Sequence, residues 1–361
     1  MRIGILTFHY AHNYGAVLQS YALQYKLKSM GHEVFFINHQ NTRIANGYKV
    51  FDINRYIHKN PIKCLQNSIK ELKTLHRRKK RSDGFKHFIA QYLHIVEKEE
   101  ILSNPFDCII VGSDQVWNTN LTKGFDNYYW GIFQKPTHTR LISYAASMEE
   151  YWTDKNATII KNLLNKFDAI SVREKKLEDE LSRLLHKKEI ITVADPTMIV
   201  EEEVWNTLSS PPPINKPYLL LYQVRNSSIC ESIAQQIAKE MNLKIIYLSA
   251  SVLLHNSDEC IATPPEEYLG WFKYASFVVC SSFHGTVFSL LFERPFYSIQ
   301  LNDGRDSRVY NLLNVLNLSD RFITSYRKGM NNEDINFQKV KESINSITVT
   351  SNEFLTRNLQ A

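Results

Sequence analysis

The residues with the clearest chemical potential stand in one run, Cys280-Ser-Ser-Phe-His-Gly-Thr-Val-Phe-Ser-Leu-Leu-Phe-Glu-Arg-Pro295. An apolar stretch, Ala275 to Val279, precedes it and reads as a buried parallel strand; an apolar-rich helix is predicted to begin near Gly285. Ser281, Ser282, His284, Gly285 and Thr286 then fall where a strand's carboxyl end meets a helix N-terminus. Backbone N–H groups lack intrahelical partners there and the helix dipole is positive, so a phosphate or carboxylate is stabilised. Gly285 allows close approach to the backbone, and His284 can donate a hydrogen bond or a proton near neutral pH. The same residues also suit a plain N-cap and a structural histidine, and both uses stay open.

Other chemistry-bearing residues recur at predicted strand ends. Phe106 to Val111 is an apolar strand leading into Gly112-Ser113-Asp114, where small residues admit a ligand and Asp114 can accept a proton or bind a sugar hydroxyl. Arg173 closes the strand from Ala169, and its guanidinium suits a phosphate or carboxylate; a salt bridge with Glu174 is the alternative. Arg225 follows the strand that starts at Tyr218, and Arg305 and Arg308 stand at the head of a later helix. The first loop, His9-Tyr-Ala-His-Asn-Tyr-Gly15, offers His9, His12, Asn13 and Gly15 to a ligand edge, or Asn13 and Gly15 as a capped helix start. It lacks G-x-G-x-x-G, so dinucleotide binding is not supported.

The elements that must position these residues alternate between strand and helix. A strand at Arg2–Phe8, a helix ending at Gly31 and a strand at Glu33–Asn38 make a parallel, right-handed unit. Two Rossmann-like α/β domains facing across a cleft are expected. The first spans 1–210, with a helical insertion at about 54–100, and is assigned the acceptor; the second spans 217–330 and is assigned the donor. Pro211-Pro-Pro-Ile-Asn-Lys-Pro217 is the joint, because consecutive prolines stop regular structure. A helical C-terminal region, 331–361, is expected to pack back on the first domain.

At 361 residues, two domains are the default, and 43% hydrophobic content supports a sizeable core. The net charge of +6 is modest but uneven, with a basic block at His76-Arg-Arg-Lys-Lys-Arg81. That block reads as a solvated helix face, or as a patch for anionic lipid head groups or a pyrophosphate-linked acceptor. No nucleic-acid motif accompanies it. Five scattered cysteines without Cys/His ligand spacing disfavour zinc and a disulfide framework. No signal segment or spanning helix is visible. A cytoplasmic protein is expected, with any membrane contact peripheral and at the inner face.

The ordered motifs NYGAVLQ (13–19), VGSDQVWN (111–118), SVRE (171–174), DPT (195–197), QVR (223–225) and SSFHGTVFSLLFERPF (281–296) resemble the polysaccharide pyruvyl transferase family. The likeness runs to about residue 325. It implies a GT-B-like fold and transfer of the enolpyruvyl unit of phosphoenolpyruvate to sugar hydroxyls, forming a pyruvate ketal on a bacterial surface glycan. The implied acceptor is a sugar or lipid-linked oligosaccharide, and the scheme requires no metal or cofactor. It makes His284 general acid or phosphate-binding group and Asp114 a candidate general base. Better-studied members carry Ser-Arg-Leu-His-Gly where this chain has Ser281-Ser282-Phe283-His284-Gly285, so Ser282 replaces an arginine. Arg173, Arg225, Arg305 or Arg308 then supplies the cation, or the donor differs. A nucleotide-sugar glycosyltransferase, with Glu293 near a ribose, is the alternative enzyme reading, and a glycan-binding scaffold the noncatalytic one.

Overall fold

The computed structural model describes residues 1–50, 61–148, 152–186, 188–249, 260–301, 306–330 and 334–360, with side chains except at 61–74, 154, 249 and 260. Contacts divide the chain into two units: 1–47, 89–201 and 344–361 form unit 1, and 48–88 with 202–343 form unit 2. Two placements differ from the sequence expectation. The break falls at Glu201/Glu202 rather than among the prolines, and the insertion expected at about 54–100 in the first domain is divided, with residues up to Phe88 grouped in unit 2 and those from Ile89 in unit 1.

The first stretch runs β1 (Arg2–Leu6), α1 (Tyr14–Ser29), β2 (Glu33–Ile37), α2 (Thr42–Gly47), α3 (Pro61–Tyr92), β3 (Ile95–Val96), α4 (Glu100–Ser103) and β4 (Cys108–Asp114). It continues with α5 (Thr119–Thr122), β5 (Arg140–Ala146), α6 (Asp154–Leu164), β6 (Ala169–Val172), α7 (Lys175–Leu185), β7 (Ile190–Thr192) and a 3₁₀ turn at Pro196–Met198. The strands order as β3-β2-β1-β4-β5-β6-β7, and every pairing is parallel. A parallel sheet covered on both faces needs strands apolar on both faces. Accordingly Ile3, Ile5, Leu6 and Cys108 to Val111 are fully enclosed. Helix α1 is buried from Tyr14 to Ser20, so it lacks the one-sided pattern of a surface helix.

The second stretch runs α8 (Glu202–Leu208), β8 (Tyr218–Gln223), α9 (Ser228–Met241), β9 (Lys244–Ser249), β10 (Cys260–Ile261), α10 (Pro265–Lys273) and β11 (Phe277–Cys280). Then come α11 (Phe283–Leu291), β12 (Phe296–Ile299), α12 (Ser307–Val315), β13 (Phe322–Ile323) and α13 (Phe337–Leu359). Their strands order as β10-β9-β8-β11-β12-β13, again all parallel. Leu219, Leu221, Phe277 and Val279 of this sheet pack with Ile233 and Ile237 of α9 in one core cluster. The cost of enclosing so many backbone groups is met by the ladders themselves.

The end of α13 belongs to unit 1. Ser351 Oγ accepts the Ala194 N–H at 2.8 Å, Arg140 donates to the Asn358 carbonyl, and Phe354 packs at 6.3 Å from the Tyr144 ring. Both sheets thus present a row of strand carboxyl ends, the edge where ligands of parallel α/β sheets bind.

Candidate functional site

On unit 2, β11 lies between β8 and β12 and delivers Ser281 to the carboxyl edge, where its N–H donates to the Tyr222 carbonyl at 3.2 Å. Ser282 is extended (φ −140°, ψ 148°) and caps α11, its Oγ accepting the Gly285 N–H at 3.0 Å. The helix therefore begins at Phe283, two residues earlier than expected. His284 lies in its first turn, half-buried, at the positive end of the dipole. Its ring meets Phe283 edge-on at 5.2 Å, and the Arg308 guanidinium lies 5.9 Å from the same phenyl centroid. A titratable imidazole and a permanent cation thus share one aromatic ring, within the range where a ring face attracts a cation.

Two expectations on this loop are corrected. Thr286 does not face a ligand: it is fully buried, donating to the Ser282 carbonyl at 3.0 Å and meeting Ser298 Oγ at 2.7 Å. Gly285 is needed for packing rather than ligand approach, since a Cβ there would sit 2.9 Å from Ser282 Oγ and from the Tyr222 ring. Arg225 is exposed two residues beyond β8, and Arg305 lies outside the described residues. Glu293 lies two residues beyond the C-terminal end of α11, whose remaining turns from His284 span about 10 Å. It pairs with Lys341 at 2.6 Å, which removes it from any ribose beside His284.

On unit 1, three separated motifs converge. Arg173, at the end of β6, donates from Nη1 to Asp195 Oδ2 at 2.6 Å. Its Nε lies 3.4 Å from Glu174 Oε1 and its Nη2 3.6 Å from Asp114 Oδ1. Ser147 Oγ donates to Glu174 Oε1 at 2.6 Å, and Thr197 holds the other Asp195 oxygen through N–H and hydroxyl. Burial works against the Arg173 charge, but the carboxylates of Asp195, Glu174 and Asp114 outweigh it and push the pKa further up. One cation faces three carboxylates, so Arg173 is committed inside the protein and its expected use as an anion receptor is corrected. Asp114 is the member with an open side, at 17% side-chain exposure against 0% for Asp195. It stands at φ 72°, a left-handed conformation that non-glycine residues adopt at a cost, commonly at functional positions.

Three more expectations are corrected, two on the first loop (His9 and Gly15) and one on β4 (Ser113). His9 is wholly buried, its ring tilted against Phe36 at 5.3 Å, with Nδ1 donating to the Thr7 carbonyl at 3.2 Å. Burial, only partly offset by that hydrogen bond, brings its pKa down to about 4, so it is a neutral core residue and not an acceptor contact. Ser113 is fully buried and donates to the Ala145 carbonyl. Gly15 is buried in the first turn of α1. Asn13 is the N-cap, its Oδ1 accepting the Ala16 N–H at 3.3 Å. Glu174, Asp195 and Ser147 were not assigned to the site from sequence, although SVRE and DPT already marked two of them. Among the described residues no cluster of three or more His, Cys, Asp or Glu suited to a metal occurs, and no helix is long and apolar enough to cross a membrane.

Two Rossmann-like parallel α/β units, each with polar groups on its carboxyl edge, define a GT-B-like fold. A structure from Listeria monocytogenes described as a UDP-N-acetylglucosamine 2-epimerase shares it, at 9% identity over 98% of this chain and 94% of that one, with a TM-score of 0.50. The S. aureus MnaA complex with UDP aligns at 11% identity over 98% of this chain and 94% of that one, with a TM-score of 0.49. No curated protein matches the sequence. The polysaccharide pyruvyl transferase family model matches residues 13–303, and the chain belongs to that family of enzymes.

Proposed function

We propose that this transferase moves the pyruvyl group of phosphoenolpyruvate to hydroxyls of a sugar or lipid-linked oligosaccharide, forming a ketal during bacterial surface polysaccharide synthesis. The observation that carries the donor assignment is the pairing of His284, at the positive end of α11, with the Arg308 guanidinium across the Phe283 ring. A helix N-terminus and a nearby guanidinium both favour a phosphate or carboxylate. Arg308 takes the part of the arginine that Ser282 replaces, with Arg225 as a second cation.

In this reading His284 protonates the methylene carbon of the donor, and cationic character develops at the carbon bearing the phosphate. A sugar hydroxyl attacks that carbon and phosphate leaves with the bonding pair. A second hydroxyl of the same sugar closes the ketal, and its proton leaves on the released phosphate. Asp114, the open member of the unit 1 cluster, is assigned to accept a hydroxyl proton.

Isothermal titration with phosphoenolpyruvate, beside UDP, GDP and CMP, tests the donor. Saturable phosphoenolpyruvate binding is expected for the wild type and its loss in His284→Ala and Arg308→Ala. Binding of a nucleotide with none of phosphoenolpyruvate would reassign the enzyme as a nucleotide-sugar glycosyltransferase.

A further inference from the structure

The sequence reads His76 to Arg81 as one basic block; the helix divides it. Arg78 and Arg81 turn inward at 8% exposure each, alongside Phe85 and Phe88, with the Arg81 guanidinium 4.8 Å from the Phe85 centroid. His76, Lys79, Lys80, Asp83, Lys86 and His87 are exposed. At 100° per residue these six fall within an arc of about 120°, so they form one stripe along the helix. None of Lys79, Lys80 and Lys86 makes an ion pair with a described residue. Gly84 sets the buried side against unit 2, where a Cβ would sit 2.9 Å from the Pro264 ring.

Helix α3 contains nine Lys and Arg against two acidic residues, so its own charge of +7 exceeds the +6 of the whole chain. Everything outside α3 is therefore slightly acidic in total. The positive charge of this protein is a property of one helix, with Lys79, Lys80 and Lys86 facing water and Arg78 and Arg81 turned inward.

We infer that the exposed face of α3 docks on an anionic lipid bilayer. A one-sided, straight stripe of unpaired lysines complements a plane of lipid phosphates, and the attraction acts within a Debye length of that plane. The exposed face carries no Phe, Tyr or Trp on which single-stranded bases would stack, which favours lipid over nucleic acid. The inference holds whatever the donor, and it suits the lipid-linked acceptor proposed above.

The test is flotation of the full chain with phosphatidylcholine vesicles, with and without phosphatidylglycerol. Binding is expected only to the phosphatidylglycerol vesicles at about 50 mM salt, and release at about 500 mM. Each lysine contributes about a fivefold change in partition, so Lys79→Glu with Lys80→Glu and Lys86→Glu lowers binding by more than about 100-fold. Asp83→Lys strengthens it at least about fivefold. The exposed lysines Lys155, Lys161 and Lys166 of unit 1 serve as the control, since reversing all three changes net charge equally. Retained binding in that control supports the inference, whereas equal loss in both triple variants, or no wild-type binding at low salt, overturns it. Phosphoenolpyruvate titration of the α3 variant is expected to match wild type, so a failed donor assignment and a failed docking face give different results.

Discussion

Enclosure changes what a titratable side chain does, and His9 is the clearest instance. Its pKa falls from 6.5 to about 4 because burial disfavours the imidazolium. Between those values the unfolded chain binds the proton more readily than the folded one. The contribution is therefore complete above pH 6.5 and lost as pH falls toward 4, by about 3 kcal/mol in all. Urea unfolding from pH 7.5 to 4.5 is expected to show this loss, and His9→Phe to flatten it. Arg173 shows the converse case, a buried cation held by its neighbours. Arg173→Met leaves Asp195 enclosed without its counter-charge and is expected to destabilise unit 1 by about 3–5 kcal/mol in urea at pH 7.5. Unchanged stability would mean that the cluster is not the tight ionic group described. Of the carboxylates around Arg173, Glu174 could be read from its adjacency in sequence, but Asp114 and Asp195 could not, because they reach it only through strand order. Charge type at a strand end suggests an anion receptor equally well. Only the folded strand order brings Asp114 and Asp195 to the cation and commits it.

The turn between β11 and α11 is the element to which the proposed donor chemistry is assigned, and small residues set its shape. Ser282→Ala removes the cap on the Gly285 N–H and is expected to cost about 1 kcal/mol. Gly285→Ala places a methyl group against Ser282 Oγ, the Tyr222 ring and Cys280 Cβ, with an expected cost of about 1–3 kcal/mol. Thermal unfolding checks both, and a Gly285→Ala protein as stable as wild type would show that the turn is looser than drawn. Most of this element could be read from sequence, since an apolar run, Ser-Ser and an apolar helix leave few alternatives. The inward turn of Thr286 could not, because a threonine in a first turn suits either side. The two faces of α3 were hidden for another reason. When six consecutive residues are basic or His, helical periodicity leaves no trace in residue type, and only burial distinguishes Arg78 from Lys79.

At the scale of the molecule, the sheets and the helices that cover them enclose the thiols of Cys108 and Cys280 on strands and of Cys230 on α9. Burial pushes the pKa of Cys108 up to about 12 and that of Cys230 up to about 11, and raises that of Cys280 as well. Thiolate, the reactive form, is scarce at all three. Ellman's reagent at pH 8 is expected to leave Cys108, Cys230 and Cys280 unlabelled in the native protein and to label them after unfolding, as read by peptide mass. Rapid native labelling of Cys108 would contradict the enclosed strand. The grouping of residues 344–361 with unit 1 bears on how the chain is made. A ribosome releases residues 1–201 well before the segment that supplies Ser351 to Ala194 and Asn358 to Arg140. Unit 1 is thus begun first and completed last, and must wait, unfinished, while all of unit 2 is synthesised.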